Sequence, residues 1–163
     1  MTWRGQSSPP DRIFSALVYL LPIIRALPFG LTLLGAIPVL GQVLFLAIGP
    51  FLTLYAFLSG TIPFFDLIVF FALYLGVVRN SRFSYFLRYN VMQALLIGFA
   101  VSIVAILTGI LGLAGGGLIV QTLYTATFIA ALGASTYSLV RSATGTFPEL
   151  PVISDAAYQY IGR

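Results

Sequence analysis

The sequence predicts an all-α integral membrane protein with four transmembrane helices, preceded at its amino end by a helix lying in the membrane interface. Three observations carry that expectation. First, 60% of the 163 residues are hydrophobic and only 7% are charged, whereas a soluble domain needs about 25% charged residues to face water. Second, four apolar runs are each long enough to cross a hydrocarbon core about 30 Å thick, which takes about 20 helical residues. Third, the eight basic residues, all arginine, fall between those runs and not on them, with Arg25 set apart.

Residues 1–10, MTWRGQSSPP, read as a short flexible segment closed by two prolines. They are too short for a transit peptide. Arg25 and Pro28 stand where small cleavage-site residues would follow a signal-peptide core, so the apolar stretch after residue 10 is expected to stay in the mature chain. Asp11 to Phe29 is apolar but interrupted by Pro22 and Arg25. An arginine at mid-bilayer costs about 2.5–3.5 kcal/mol on insertion scales. As a helix this stretch gathers Asp11, Arg12, Ser15, Tyr19 and Arg25 towards one side, a pattern that suits an interfacial helix with its polar stripe towards water. A tilted fifth span that snorkels Arg25 to the surface is the other reading.

The four spans are expected at about 39–58, 62–78, 91–113 and 118–140, together making, with 11–29, a membrane domain over 11–143. Gly60 and Pro63 mark the first hairpin and Gly115-Gly116-Gly117 the last. Residues 144–163 form a tail with a short helix. With four spans, Arg4, Arg12 and Arg25, the loop arginines Arg79, Arg82 and Arg88, and the tail arginines Arg141 and Arg163 share one side. The hairpins on the opposite side carry none. Loop arginines are retained on the cytoplasmic side, so both termini are expected there, or in the stroma of a plastid. A fifth span would split the arginines between the two sides, and the four-span topology is favoured for that reason. Tyr85, Phe86 and Tyr89 near the basic loop, and Tyr55, Phe64, Phe65 and Tyr124 near the other boundary, suit the depths that amphipathic rings prefer.

Helix association in lipid relies on close packing and interhelical hydrogen bonds. Gly98, Ser102, Ala105, Gly109 and Gly112 recur at four- and three-residue spacing on the third span, and Ala126, Ala130 and Ala134 on the fourth. These small faces are expected to pack the two helices together, with docking of a partner protein as the other use. Asn90 and Gln93 lie on one helical face near the arginine loop, either capping and tying helices or lining a hydrated path. Asp66 sits a turn into the second span, where a helix amino end favours an acid.

The chain contains no cysteine and no histidine. Thiolate and imidazole ligation are thereby excluded, along with the commonest general base near neutral pH. No phosphate loop, paired carboxylates or nucleophile constellation is present, and the glycine run lacks the lysine and helix context a phosphate loop needs. The expectation is a protein that is not an enzyme and has no intrinsic cofactor. Its partners are then the lipid bilayer and other membrane subunits, with no nucleic acid, because the arginines flank apolar runs and do not cluster on a soluble face.

Three stretches, FSALVYLLPIIRALPFG (14–30), GVVRNSRFSYFLRYNVMQALL (76–96) and PVISDAAY (151–158), together resemble the twenty-kilodalton subunit family of the Tic translocon. That family belongs to the protein-import complex of the chloroplast inner envelope and has cyanobacterial relatives. The resemblance runs in order over most of the chain, and the VVRN and RYNVMQA elements are its most specific part. It implies four membrane helices with both termini on the stromal or cytoplasmic side. It also implies a channel-type or accessory role in moving or inserting polypeptides. The chain looks more like a cyanobacterial or plastid-encoded member, placed in a cyanobacterial plasma or thylakoid membrane or a plastid inner envelope. Arg25 stands where many relatives are expected to carry an acid, and Ile97-Gly98 replaces an aliphatic–acidic pair. Both changes remove negative charge, which argues against carrying over cation-selective conduction.

Matched motif by motif, the candidate functional or partner-contact residues are Arg79, Asn80, Arg88, Asn90, Gln93, Ser154, Asp155 and Tyr158. Arg79 and Arg88 would meet anionic headgroups or an acidic partner. Ser154 would cap a tail helix beginning at Asp155. The alternative function is a structural or assembly subunit of a larger, for instance photosynthetic, membrane complex, with pigments touching its surface.

Overall fold

The computed structural model describes residues 8–111 and 117–161. Its architecture follows from where the chain can and cannot continue a helix. Ser8 accepts from the Asp11 N–H while the Asp11 carboxylate accepts from the Ser8 N–H, and Pro9 and Pro10 follow at positions that need no donor, so α1 (Pro9–Val18) starts there. Pro22 has no N–H to offer back along the chain. The rod accordingly breaks at Tyr19 and resumes as α2 (Leu20–Ala26), a 3-10 turn at Leu27–Gly30, and α3 (Leu31–Ala36). Pro38 opens α4 (Pro38–Thr61), which carries Pro50 in its middle.

Phe64, in the left-handed region at φ 57°, turns the chain into α5 (Phe65–Leu73), which widens into a π turn over Tyr74–Val78. Ser84 caps α6 (Tyr85–Ile110) by accepting from the Leu87 N–H. Gly117, at φ 125°, precedes α7 (Leu118–Ala143). That helix ends in a Schellman arrangement, in which Gly145 at φ 77° donates to the Ser142 carbonyl and Thr146 to that of Arg141. The amphipathic α8 (Ile153–Ile161) closes the chain.

The expected class holds: the described residues are helical without strands, and four helices are long and apolar enough to cross a membrane. By that measure they are Pro9–Ala36 taken as one kinked rod, Pro38–Thr61, Tyr85–Ile110 and Leu118–Ala143. The amino-terminal segment is thus one of the four. The stretch expected as a span at 62–78 makes a shorter apolar helix, Phe65–Val78.

Side-chain contacts fix how these rods run. Tyr19 meets Asn90 and Gln93, and the Arg25 side chain lies against Gly98, so the α1–α2 rod runs parallel to α6. Ser142 meets Asn90 and Tyr124 meets Thr108, so α7 returns antiparallel. Phe29 stacks edge-on against Tyr124 with ring centroids 4.8 Å apart, at the far end from the knot that Tyr19 forms. The core sits where these rods and α8 converge, around Tyr19, Phe86, Tyr89, Gln93 and Phe128, all essentially inaccessible. By contrast α4 packs lightly, with only Ile48 and Gly49 buried.

Candidate functional site

Amides inside a membrane protein must find partners, because no water is at hand to supply them. Asn90 and Gln93, in the second and third turns of α6, find theirs in four different segments. The Tyr19 hydroxyl of the amino-terminal rod lies 2.9 Å from both Asn90 Oδ1 and Gln93 Oε1 and shares its proton between them. Ser142 of α7 donates to the same Asn90 oxygen at 2.6 Å, while Asn90 Nδ2 donates to the Phe86 carbonyl.

Gln93 Nε2 turns the other way, to the Pro148 carbonyl at 3.3 Å and Ser154 Oγ at 3.2 Å. The Pro148 carbonyl also accepts from Tyr89 at 2.8 Å and from Ser154 at 3.3 Å. One buried cluster therefore ties the first rod, α6, α7 and the tail together. Each interhelical bond of this kind contributes about 0.6–2 kcal/mol in a membrane.

Around the cluster the tail is held by rings. Phe147 packs on Phe86 and Tyr89 at 5.1 and 5.2 Å, and Tyr158 lies 4.7 Å from Tyr89. The Tyr158 hydroxyl donates to Glu149 at 2.9 Å. Burial, and then this bond to a carboxylate, push the Tyr158 phenol far above its usual range, because both favour the neutral form.

A second polar group lies part-way along the bundle. Arg25 reaches Asp66 Oδ1 at 3.1 Å and the Asp66 carbonyl at 3.3 Å, and Tyr55 of α4 donates to the same carboxylate oxygen. The Arg25 side chain is 19% exposed and that of Asp66 62%. Asp66 does sit in the first turn of α5, as its spacing predicts. Its pairing with an arginine 41 residues earlier is not visible in any local pattern.

The candidate residues scatter over three roles. Asn90, Gln93, Ser154 and Tyr158 come together in the cluster. Arg88 Nε donates to the Val78 carbonyl at 2.8 Å and so closes the carboxyl end of α5, and Asn80 accepts from the Arg82 N–H inside the connecting turn. Arg79 and Asp155 are exposed. Ser154 does not cap a helix starting at Asp155: α8 begins at Ile153, and the serine is buried, accepting from the Leu150 N–H and Gln93.

The predicted small-residue seam is also corrected. Gly98 is buried but faces Arg25, Ser102 bonds back to the Gly98 carbonyl, and Ala105 and Gly109 are exposed. Ala126 and Ala130 are exposed too, and Ala134 is half-buried. Gly112 lies outside the described residues. The buried face of α7 is instead Phe128, Ala131, Ser135, Ser138 and Ser142. Tyr19, expected on a water-facing stripe, is instead buried, and the serine row went unread because serines on apolar helices look like ordinary lipid-tolerant positions. The four- and three-residue spacing of 131, 135, 138 and 142 was the available signal.

A multi-helix membrane protein whose helices are knotted together by a buried amide–phenol–serine cluster, with the RYNVMQA stretch at its centre, is the class that fold and site define. Residues 8–157 match the family described as "Chloroplast import apparatus Tic20-like", and the chain belongs to that family. It is 42% identical to a Tic20 family protein of Synechocystis sp., over 93% of this chain and 92% of the relative. It is 35% identical to Protein TIC 20-II, chloroplastic, of Arabidopsis thaliana, over 96% and 76% of the two chains. With Protein TIC 20-v, chloroplastic, of the same plant the identity is 31%, over 90% and 69%. Membership implies involvement in a protein-import translocon within a membrane.

Proposed function

We propose that this protein is an accessory, membrane-embedded subunit of a polypeptide-translocating complex, which forms a conduit only together with other chains. The observation that carries this reading is the filled interior: Tyr19, Tyr89, Asn90, Gln93 and Phe128 occupy the axis of the bundle with no accessible surface. Meanwhile α4 turns Val43, Phe45, Leu46, Leu54 and Phe57 outward, which suits packing against lipid and neighbouring subunits.

The same reading takes the amino-terminal rod as the first crossing. The chain then returns through α4 and α5 together, since Asp66 stands level with Arg25 and Val78 level with Arg88. With α6 and α7 this makes four crossings, and Arg12, Arg79, Arg82, Arg88 and Arg141 share one face, on the cytoplasmic or stromal side.

The test is a photo-crosslinking side chain placed at Leu46 or Leu54 in the assembled complex, with a precursor arrested in transit. Crosslinks to other membrane subunits, together with precursor accumulation on depletion of the chain, are the expected result. Unimpaired import on depletion would defeat the reading.

A further inference from the structure

Ionisable side chains at bilayer depth normally face the interior of a bundle, and Asp66 does not. It bonds to Arg25, whose Nη1 would lie 3.4 Å from a Cβ on Gly98, and Gly98 stands midway along α6. In the four-crossing arrangement the carboxylate is therefore near the middle of the membrane, yet its side chain is 62% exposed. Its bonds from Arg25 and Tyr55 both go to Oδ1, and Oδ2 has none among the described residues. A carboxylate can accept at about four lone-pair sites, and lipid tails offer no donor. Arg25 Nε is itself buried without a partner, so the chain alone leaves this pair under-satisfied.

The helix that carries Asp66 begins where the acid stands and goes no further into the membrane. Phe65–Val78 rises about 20 Å at about 1.5 Å per residue, against a hydrocarbon core about 30 Å thick. It covers α6 from Arg88, which bonds the Val78 carbonyl, to Phe99, whose ring lies 5.0 Å from that of Phe70. Past Phe99 the same face of α6 continues through Ile103, Ile106 and Ile110, at four- and three-residue spacing, and all three are exposed. Thus α5 covers one half of this face and leaves the other half open, with Asp66 at the junction.

We infer that the open half-face of α6, from Phe99 to Ile110, receives a transmembrane helix of another subunit that presents a neutral hydrogen-bond donor, a hydroxyl or side-chain amide, to Asp66. The inference rests on the reading of this chain as a subunit of a larger complex and names a contact surface within it. Charge decides the type of donor. Arg25 and Asp66 already cancel, so a lysine or arginine would leave net positive charge at mid-membrane, where isolated charge is costly. A hydroxyl or amide adds the bond and no charge. The aliphatic stripe supplies the close packing that, with interhelical hydrogen bonds, holds membrane helices together. A phospholipid headgroup belongs to the interface, outside the hydrocarbon core, and does not reach this depth.

A photo-crosslinking side chain at Ile103 or Ile106, in native membranes, should form adducts with a second membrane subunit. In the Arg25→Leu/Asp66→Leu background those adducts should fall at least tenfold, while the purified chain keeps most of its resistance to unfolding by SDS. Ile103→Trp leaves the pair intact and points outward; it should cut co-purification of that subunit at least fivefold with the unfolding midpoint unchanged, and it decides the matter if the double variant fails to insert. Adducts with lipid alone, or only with a second copy of this chain, would overturn the assignment. So would adducts that persist in the double variant, or co-purification untouched by Ile103→Trp. Unimpaired import on depletion of the chain would remove the translocation reading and leave a docking face so demonstrated in place. Failure to dock, in membranes where depletion still blocks import, would do the reverse.

Discussion

Gly30 is where two opposing effects can be weighed with the distances at hand. A Cβ built there would lie 2.7, 2.7 and 2.8 Å from three atoms of the Phe128 ring, against an optimal carbon–carbon separation of about 3.5–4.0 Å. The ring cannot swing aside, because Phe128 has no accessible surface. Overpacking of this kind costs about 1–3 kcal/mol. On its own, replacing a helical glycine by alanine stabilises by about 0.5–1 kcal/mol, so Gly30→Ala should lose about 1–2 kcal/mol net.

Gly35, in α3, supplies the control, since nothing lies within 4 Å of a Cβ there and Gly35→Ala should gain the helical term alone. Reversible unfolding of detergent-solubilised protein by added SDS, followed by far-UV circular dichroism, resolves shifts of that size. Phe128→Ala combined with Gly30→Ala should be less destabilised than the sum of the two, by about 1 kcal/mol. If Gly30→Ala proves as stable as Gly35→Ala, the close approach of the first rod to α7 is not as described.

Tyr19→Phe removes the donor shared by Asn90 and Gln93 and leaves Gln93 Oε1 without its partner; a loss of about 1–3 kcal/mol is expected in the same unfolding assay, and a change below about 0.3 kcal/mol would contradict the cluster. Asp66→Leu strands the Arg25 charge and should destabilise or impair insertion by about 2–3 kcal/mol, whereas Arg25→Leu/Asp66→Leu should recover most of it, as read by yield and SDS midpoint. The Tyr158 phenol is pushed up in the folded tail, so the native state holds its proton where the unfolded one releases it. Tail docking should therefore be constant at neutral pH and weaken as pH rises past about 10, and Tyr158→Phe should remove this alkaline dependence in a fluorescence readout from a label near Ile161. Tags on the two chain ends should show matching protease sensitivity in sealed membrane vesicles of either orientation; opposite sensitivities would contradict four crossings.

Much of this architecture was legible because composition and run length report on solvent directly. The apolar runs at 91–113 and 118–140 fall on α6, which starts earlier, at Tyr85 after its Ser84 cap, and on α7, which starts after Gly117. Asn90 and Gln93 stood out because amides in lipid need partners, and the structure supplies them. What the pattern did not yield was pairing. Periodicity placed Ser15, Tyr19 and Arg25 on one side of the first rod, but the same stripe serves equally for water, for lipid headgroups or for a neighbouring helix. Here Ser15 and Tyr19 turn inward, and the partners of Tyr19 lie some seventy residues away. Likewise, small residues of the third span suggested a seam, yet among its described members only Gly98 is buried, and it accommodates an arginine rather than a backbone.

That long reach from Tyr19 has a consequence for how the molecule is made. The first rod leaves the ribosome well before Asn90 and Gln93 exist, and Ser142 arrives later still. Until then its phenol has no protein group to satisfy it, so the earliest segment is among the last to settle. Biogenesis of this chain thus runs like a drawstring, with the opening stitch pulled tight only when the closing one is in place.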